Sequence, residues 1–113
     1  MKRNPGFGSI SWLMGAFLLV SSLALQAAPP GVDGAAIFKK NCIMCHGADG
    51  KGFAVLKTPN FTDPKWQAST KDKEISEVIK NGKKGTAMQA FGGQLRDEEI
   101  SALVVYIRSL KKK

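Results

Sequence analysis

This chain has few of the side chains from which most metal and catalytic sites are built. Its 113 residues include one histidine and two cysteines, and its nine acidic residues are outnumbered by seventeen basic ones. A structural zinc site takes four ligands, usually cysteine or histidine, so a single chain with three such residues cannot complete one. The length predicts a single domain.

Strand patterns are also absent, and the apolar residues follow helical spacing instead. Three helices are predicted, over Gly34–Asn41, residues 71–81 and residues 97–111. Asp33 is the expected N-cap of the first helix, and Ser69 or Thr70 that of the second. Residues 53–68 and 83–93 show no sustained period and are predicted to be ordered but irregular. The predicted fold class is therefore all-α.

The N-terminal part lacks charge. Two basic residues near the start are followed by an uncharged, largely apolar stretch that ends only at Asp33. This order of features, with small residues at Ala27 and Ala28, is typical of a secretory signal peptide cleaved after one of those alanines. An uncleaved membrane anchor is the alternative, but a span takes about 20 apolar residues and two serines interrupt this run. We expect residues 1–27 to be a signal peptide and residues 28–113 to be the exported domain.

The two cysteines and the histidine stand together. Cys42, Cys45 and His46 form the pattern Cys-x-x-Cys-His, which is the spacing for covalent attachment of haem c. Each thiol can form a thioether bond to one haem vinyl group, and the imidazole that follows then lies under the iron. A thioredoxin-like dithiol would need a βαβ context, which this sequence does not offer. The motif predicts one covalently bound haem c, which would also enlarge the core of a small domain.

A haem iron of this kind usually takes a second axial ligand. Removal of the signal peptide would leave two methionines, Met44 and Met88. Met44 lies inside the attachment turn and cannot reach the opposite haem face, whereas Met88 lies in a glycine-flanked segment that can wrap round the ring. A lone methionine usually fills space in a core. Elimination nevertheless favours Met88 as the ligand, and its thioether would raise the reduction potential.

These features together resemble those of a bacterial class I c-type cytochrome. The matching positions are Gly34 and Phe38, Cys42-x-x-Cys45-His46-Gly47, Pro59, Met88-x-x-Phe91 and Val105-Tyr106-Ile107. They cover essentially all of residues 33–110. The resemblance implies three to four helices wrapped round one haem, with the terminal helices crossing near Gly34, Phe38 and Tyr106.

The resemblance also implies the site residues. His46 and Met88 would be the axial ligands, and Cys42 and Cys45 would hold the haem covalently. Pro59 would be the residue whose carbonyl accepts the His46 Nδ1 proton and so orients the ring.

Charge gives an expectation about partners. Without the two basic residues of the signal peptide, fifteen basic residues face nine acidic ones, a net charge of +6 before the haem propionates are counted. Such a surface can steer the protein toward acidic faces of redox partners or toward anionic membranes, or it can simply be solvated. No binding to nucleic acid is expected, and membrane contact should be peripheral at most.

The expected function is that of a periplasmic, monohaem one-electron carrier between redox partners, without an enzymatic reaction of its own. One alternative is a haem-containing subunit of an oxidoreductase complex, and another is a haem enzyme or gas sensor. An enzyme needs an open iron position and acid–base groups beside it. Because His46 is the only histidine and is assigned to the iron, the sequence favours the carrier.

Overall fold

All regular structure that the computed structural model describes, in residues 27–113, is helical. The elements in chain order are α1 (Gly34–Asn41), α2 (Ile43–His46), a 3-10 turn (Ala54–Leu56), α3 (Pro64–Ser69), α4 (Asp72–Asn81) and α5 (Asp97–Ser109). The predicted all-α class is confirmed, with the short helices α2 and α3 in addition to the three expected. Most of the predicted signal peptide, residues 1–26, lies outside the described residues.

Polar side chains define the starts of the helices. The Asp33 carboxylate accepts a hydrogen bond from the Ala36 backbone N–H at 3.1 Å, which begins α1 as predicted. The predicted Ser69 or Thr70 cap of α4 is wrong, because Ser69 is the last residue of α3. Lys71 is the N-cap of α4, and its backbone N–H donates to the Glu74 carboxylate at 2.7 Å.

Two further boundaries differ from the prediction. Residues 53–68 are not wholly irregular, because Asp63 caps α3 by accepting from the Lys65 backbone N–H and Pro64 occupies the first helical position. Six residues are too few to show a helical period. Helix α5 ends at Ser109 rather than at residue 111, and beyond it the Lys112 backbone N–H donates to the Thr62 carbonyl at 3.0 Å.

The first and last helices cross at close range. Gly34 is buried against α5, and a β-carbon at this position would collide with the carbonyl group of Ala102. One turn further on, the rings of Phe38 and Tyr106 lie 5.1 Å apart between centroids, and Phe38 is only 1% exposed. The crossing expected near Gly34, Phe38 and Tyr106 is therefore confirmed. It positions the end of α1, from which the attachment motif follows.

The core continues from this crossing toward α4. Its buried apolar residues are Phe38, Phe61, Ile75, Ile79, Phe91, Ile100, Leu103, Val104 and Ile107. Most of them come from α4 and α5, and Phe61 is contributed by the segment before α3. None of the described helices has the length and apolar character needed to cross a membrane.

Candidate functional site

The Cys-x-x-Cys-His motif occupies the junction of α1 and α2. The Cys42 backbone N–H donates to Phe38 O at 2.9 Å, and the His46 backbone N–H donates to Cys42 O at the same distance. Gly47 then ends α2 with a φ of 76°, a conformation that few residues other than glycine adopt. The three motif side chains consequently line one cavity.

That cavity measures about 980 Å³, at the upper end of the range for ligand-binding pockets. Its walls come from every helix and from the segments around Pro59 and Met88. The apolar side chains that line it are Phe38, Val55, Leu56, Pro59, Phe61, Trp66, Ile75, Val78, Ile79, Met88, Phe91, Leu103 and Ile107. A cavity of this size and lining suits a large and mostly apolar ligand.

His46 is held face to face with an aromatic ring. Its imidazole stacks on Phe61 with centroids 4.8 Å apart and planes inclined by 19°. Burial lowers the pKa of His46, which favours the neutral imidazole, the form that binds metal ions. Among the described residues, Nδ1 of this ring is buried without a hydrogen-bond partner.

The two thiols differ in their surroundings. Cys45 is exposed, whereas Cys42 is half-buried, and both are free. Burial, with a smaller electrostatic contribution from the neighbouring Cys45, raises the pKa of Cys42 to about 11. Cys42 is accordingly a neutral thiol at pH 7 in the absence of a bound group.

Met88 and Pro59 line the same cavity as the motif residues. Met88 is the one half-buried residue in the otherwise exposed segment 83–90. Its carbonyl accepts from the Lys83 backbone N–H at 3.1 Å, and its own N–H donates to Thr86 Oγ1 at 3.2 Å. Met44, in contrast, is 89% exposed. Pro59 is half-buried and makes no hydrogen bond to His46 Nδ1 in this structure.

Comparison with protein families identifies the fold and its cofactor class. Residues 29–107 match the family described as cytochrome c oxidase, cbb3-type, subunit III. This chain belongs to that family of c-type cytochromes. Domains of this kind bind haem c covalently, and the chain brings two thiols, an imidazole and a thioether to a largely apolar cavity. The residues present therefore fit the haem.

Proteins similar in sequence to this chain are named as subunits of cbb3-type cytochrome c oxidases. The FixP subunit of the cbb3-type cytochrome c oxidase from Bradyrhizobium sp. (strain ORS 278) is 36% identical over 91 residues, which are 80% of this chain and 31% of that protein. The FixP subunit from Azorhizobium caulinodans is 38% identical over 91 residues, which are again 80% of this chain and 31% of that protein. The chain thus spans about a third of the length of these relatives.

Solved structures agree with the family. The c-type cytochrome KustC0563 has a TM-score of 0.67 and 37% identity, covering 72% of this chain and 100% of that one. Cytochrome cL from Hyphomicrobium denitrificans has a TM-score of 0.59 and 30% identity, covering 70% of this chain and 46% of that one. The cytochrome c fold implied by the sequence is therefore confirmed.

Sequence reasoning missed the residues that support His46. Phe61 stacks on the imidazole and also contacts Trp66, with ring centroids 4.9 Å apart. Both aromatic residues lie in the segment that was predicted to be irregular. No periodic pattern marks Phe61, so only the folded chain reveals this contact.

Proposed function

We propose that this cytochrome transfers single electrons as the haem-containing subunit of an oxidoreductase complex of the cbb3 oxidase type. The observation that carries the proposal is the lining of one cavity by both motif cysteines, His46 and Met88. The relatives are named as oxidase subunits, which favours a subunit over the free carrier first expected from the sequence. Because the chain spans only part of those relatives, its place in such a complex is part of the proposal.

A free carrier is the second candidate. It is supported by KustC0563, a c-type cytochrome whose whole length is covered by this chain. The two candidates share the same site and differ only in whether the cytochrome stays bound to its partners. Gel filtration of the native protein from both the soluble fraction and solubilised membranes separates them, since a subunit should co-migrate with an oxidase and a free carrier should elute alone.

In the proposed site, Cys42 and Cys45 would hold one haem c covalently, and His46 and Met88 would bind its iron. When bound, the haem would supply one-electron redox chemistry between the ferric and ferrous states. The burial of His46 keeps its imidazole neutral and available as a ligand. A thioether ligand would favour the ferrous state, and the apolar wall of the cavity would exclude water, so both would raise the reduction potential.

Pro59 is proposed as the acceptor for the His46 Nδ1 proton. Both residues line the cavity, and Nδ1 is buried without another partner among residues 27–113. A buried N–H without an acceptor is costly, so a small shift that brings the Pro59 carbonyl to Nδ1 would be favourable. Such a contact would fix the direction of the ring within its plane.

Export to the periplasm completes the proposal. The haem would be attached outside the cytoplasm, and cleavage after Ala27 or Ala28 would make the mature chain begin at Ala28 or Pro29. N-terminal sequencing of the purified protein tests this. A start at Met1 in a membrane fraction would favour the uncleaved anchor instead.

Substitution of Met88 tests the ligand assignment, and Met44 is the matched control. With the thioether bound, both oxidation states should be six-coordinate and low-spin. Met88→Ala should open the iron, lower the reduction potential and allow carbon monoxide to bind readily. Met44→Leu should do none of these, because Met44 is exposed beside the attachment turn. The visible spectra of both variants, with and without carbon monoxide, provide the measurement.

Two outcomes would contradict this proposal. Rapid binding of carbon monoxide by the unsubstituted protein would mean that the sixth position is open. An unchanged spectrum of Met88→Ala would mean that Met88 is not a ligand. Either result would favour the haem enzyme or gas sensor over the electron carrier.

A further inference from the structure

A buried amide connects the segment before α3 to the last helix. Gln67, in α3, is only 7% exposed. Its Nε2 donates to the Phe61 carbonyl at 2.7 Å and to the Ile107 carbonyl, in α5, at 2.9 Å. Both hydrogens of this amide are therefore used, and both acceptors belong to residues that line the cavity. A buried amide with all its partners in place fixes the groups that it joins.

Arg108 holds this amide from the other side. Its Nη1 donates to Gln67 Oε1 at 2.9 Å and to Gln67 O at 2.8 Å. Its Nη2 donates to the Thr70 carbonyl, and its Nε pairs with Asp72 at 2.6 Å. The planar guanidinium thus binds the end of α3 and the start of α4 at once, a geometry that a lysine ammonium cannot reproduce.

Phe61 passes this constraint to the attachment motif. Its backbone N–H donates to Gly50 O at 2.8 Å, and its carbonyl accepts from Gln67, so its backbone is held on both sides. Its ring stacks on His46 with a 4.8 Å separation. A continuous series of contacts therefore runs from Arg108 through Gln67 and Phe61 to His46.

We infer that Gln67 and Arg108 are positioning residues that set the plane of the His46 imidazole through Phe61. A hydrogen bond from Nδ1 would fix the ring within its plane, whereas the stack fixes the plane itself. The orientation of an axial imidazole affects the electronic structure of the iron, so residues of α3 and α5 would tune the site without touching the haem. The inference rests on the proposed function in that His46 must be an iron ligand.

The test uses the haem-loaded full chain and the variants Gln67→Leu and Arg108→Lys. Leucine keeps the approximate size of Gln67 and removes its amide, and lysine keeps the charge of Arg108 and removes its planar donors. Both variants should shift the paramagnetically displaced proton resonances of the His46 ring and the reduction potential, in the same direction. Gln67→Leu should give the larger shift because it removes the contact to Phe61 directly.

Asp72→Ala is the matched control. It removes the ion pair of Arg108 and leaves the hydrogen bonds between Arg108, Gln67 and Phe61 available. It should lower the melting temperature and leave the His46 resonances and the potential unchanged. A shift of the His46 resonances in Asp72→Ala as large as that in Arg108→Lys would contradict the inference. The shifts would then follow from loss of stability and not from the hydrogen bonds through Gln67.

Arg108→Lys keeps the inference testable if Gln67→Leu fails to fold. Arg108→Lys retains the Gln67 amide, so the buried carbonyl of Phe61 keeps its hydrogen-bond donor. Unchanged His46 resonances in a folded, haem-loaded Arg108→Lys variant would overturn the positioning role. The absence of displaced His46 resonances from the unsubstituted protein would instead mean that His46 is not a ligand, which refutes the proposed function.

Discussion

The two sides of the haem cavity are built differently. The attachment motif lies against the crossing of α1 and α5, where Gly34 and Phe38 are buried, and His46 stacks on the buried ring of Phe61. Met88 lies in the exposed segment 83–90, between α4 and α5. The proposed proximal ligand thus stacks on a buried core ring, whereas the proposed distal ligand is carried by an exposed segment.

The connections of the Met88 segment explain what this difference means. The segment rejoins the body at Phe91 and Gly92, whose backbone N–H groups donate to the carbonyls of Ile79 and Lys80 at 2.9 and 3.0 Å. Within the segment 83–90 every residue except Met88 is exposed. Exposed segments of this kind open at a lower free energy than the core. We therefore expect perturbations of the Met88 segment to alter ligation while the helices persist, and perturbations of the attachment side to affect the whole fold.

Loss of both thioether bonds should have the largest effect. In the double variant Cys42→Ala, Cys45→Ala the haem is no longer tethered, and the core of this small domain surrounds a cavity of about 980 Å³. A domain of this size buries too little surface to stay folded round such a space. Circular dichroism and limited proteolysis should show a largely unfolded chain. A stable, helical and haem-free double variant would mean that the fold does not depend on the cofactor.

The helix crossing gives the next largest effect. In Gly34→Ala the added methyl group would collide with Ala102, so α1 and α5 must separate. Overpacking of this kind costs about 1–3 kcal/mol. Gly93→Ala is the control, because no atom beyond the adjacent residues lies within 4 Å of the β-carbon position there. Denaturant unfolding of the haem-loaded variants measures the difference. Equal stabilities would show that the crossing is not tight.

A smaller effect is expected on the Met88 side. Gly82 and Gly85 both have positive φ, 72° and 76°, so alanine is strained at either position. Only at Gly82 would the new β-carbon contact the Met88 segment, 2.8 Å from Met88 O. Gly82→Ala should therefore increase the rate of carbon monoxide binding to the ferrous protein several-fold over Gly85→Ala, with helix content unchanged. Equal rates would mean that the backbone at Met88 does not control ligation.

The same comparison explains what could be predicted from the sequence. The attachment motif is local, since Cys42, Cys45 and His46 must lie on one turn, and their spacing alone indicates the chemistry. The helices α1, α4 and α5 are long enough for their apolar period to be visible. The helix crossing near Gly34, Phe38 and Tyr106 was expected from the resemblance to a c-type cytochrome.

Contacts between distant residues could not be predicted in this way. Gln67 and Arg108 are 41 positions apart, and nothing in either local sequence indicates that their side chains meet. Helix α3 is only six residues long, so its start is marked by Asp63 and Pro64 rather than by a period. The stack of Phe61 on His46 depends on the contact between Gln67 and Arg108 and on the position of α3. The parts of the site that tune the ligand are thus less visible in the sequence than the parts that bind the haem.

Salt dependence should give the smallest effect and can identify which side of the cavity meets a redox partner. The basic charge of the domain predicts redox partners with acidic faces, and interactions between exposed charges are screened over about 10 Å at 0.1 M ionic strength and about 30 Å at 0.01 M. Electron exchange with an acidic partner should therefore slow as salt rises between these values. A rate that stays flat would mean that the basic surface is merely solvated.

Two exposed lysines at the cavity extend this test. Lys57 lies next to the 3-10 turn on the side of Pro59, and Lys83 lies in the Met88 segment. Lys57→Gln and Lys83→Gln each remove one charge from the cavity rim, and Lys112→Gln removes one from the tail as a control. If the partner docks at the cavity, one rim variant should slow exchange at low salt by about two- to tenfold and flatten its salt dependence, while the tail variant should not. A larger effect at Lys57 would indicate docking beside Pro59, and a larger effect at Lys83 would indicate docking on the segment that carries Met88. Equal effects of all three variants would mean that steering depends on net charge alone, without a preferred docking face.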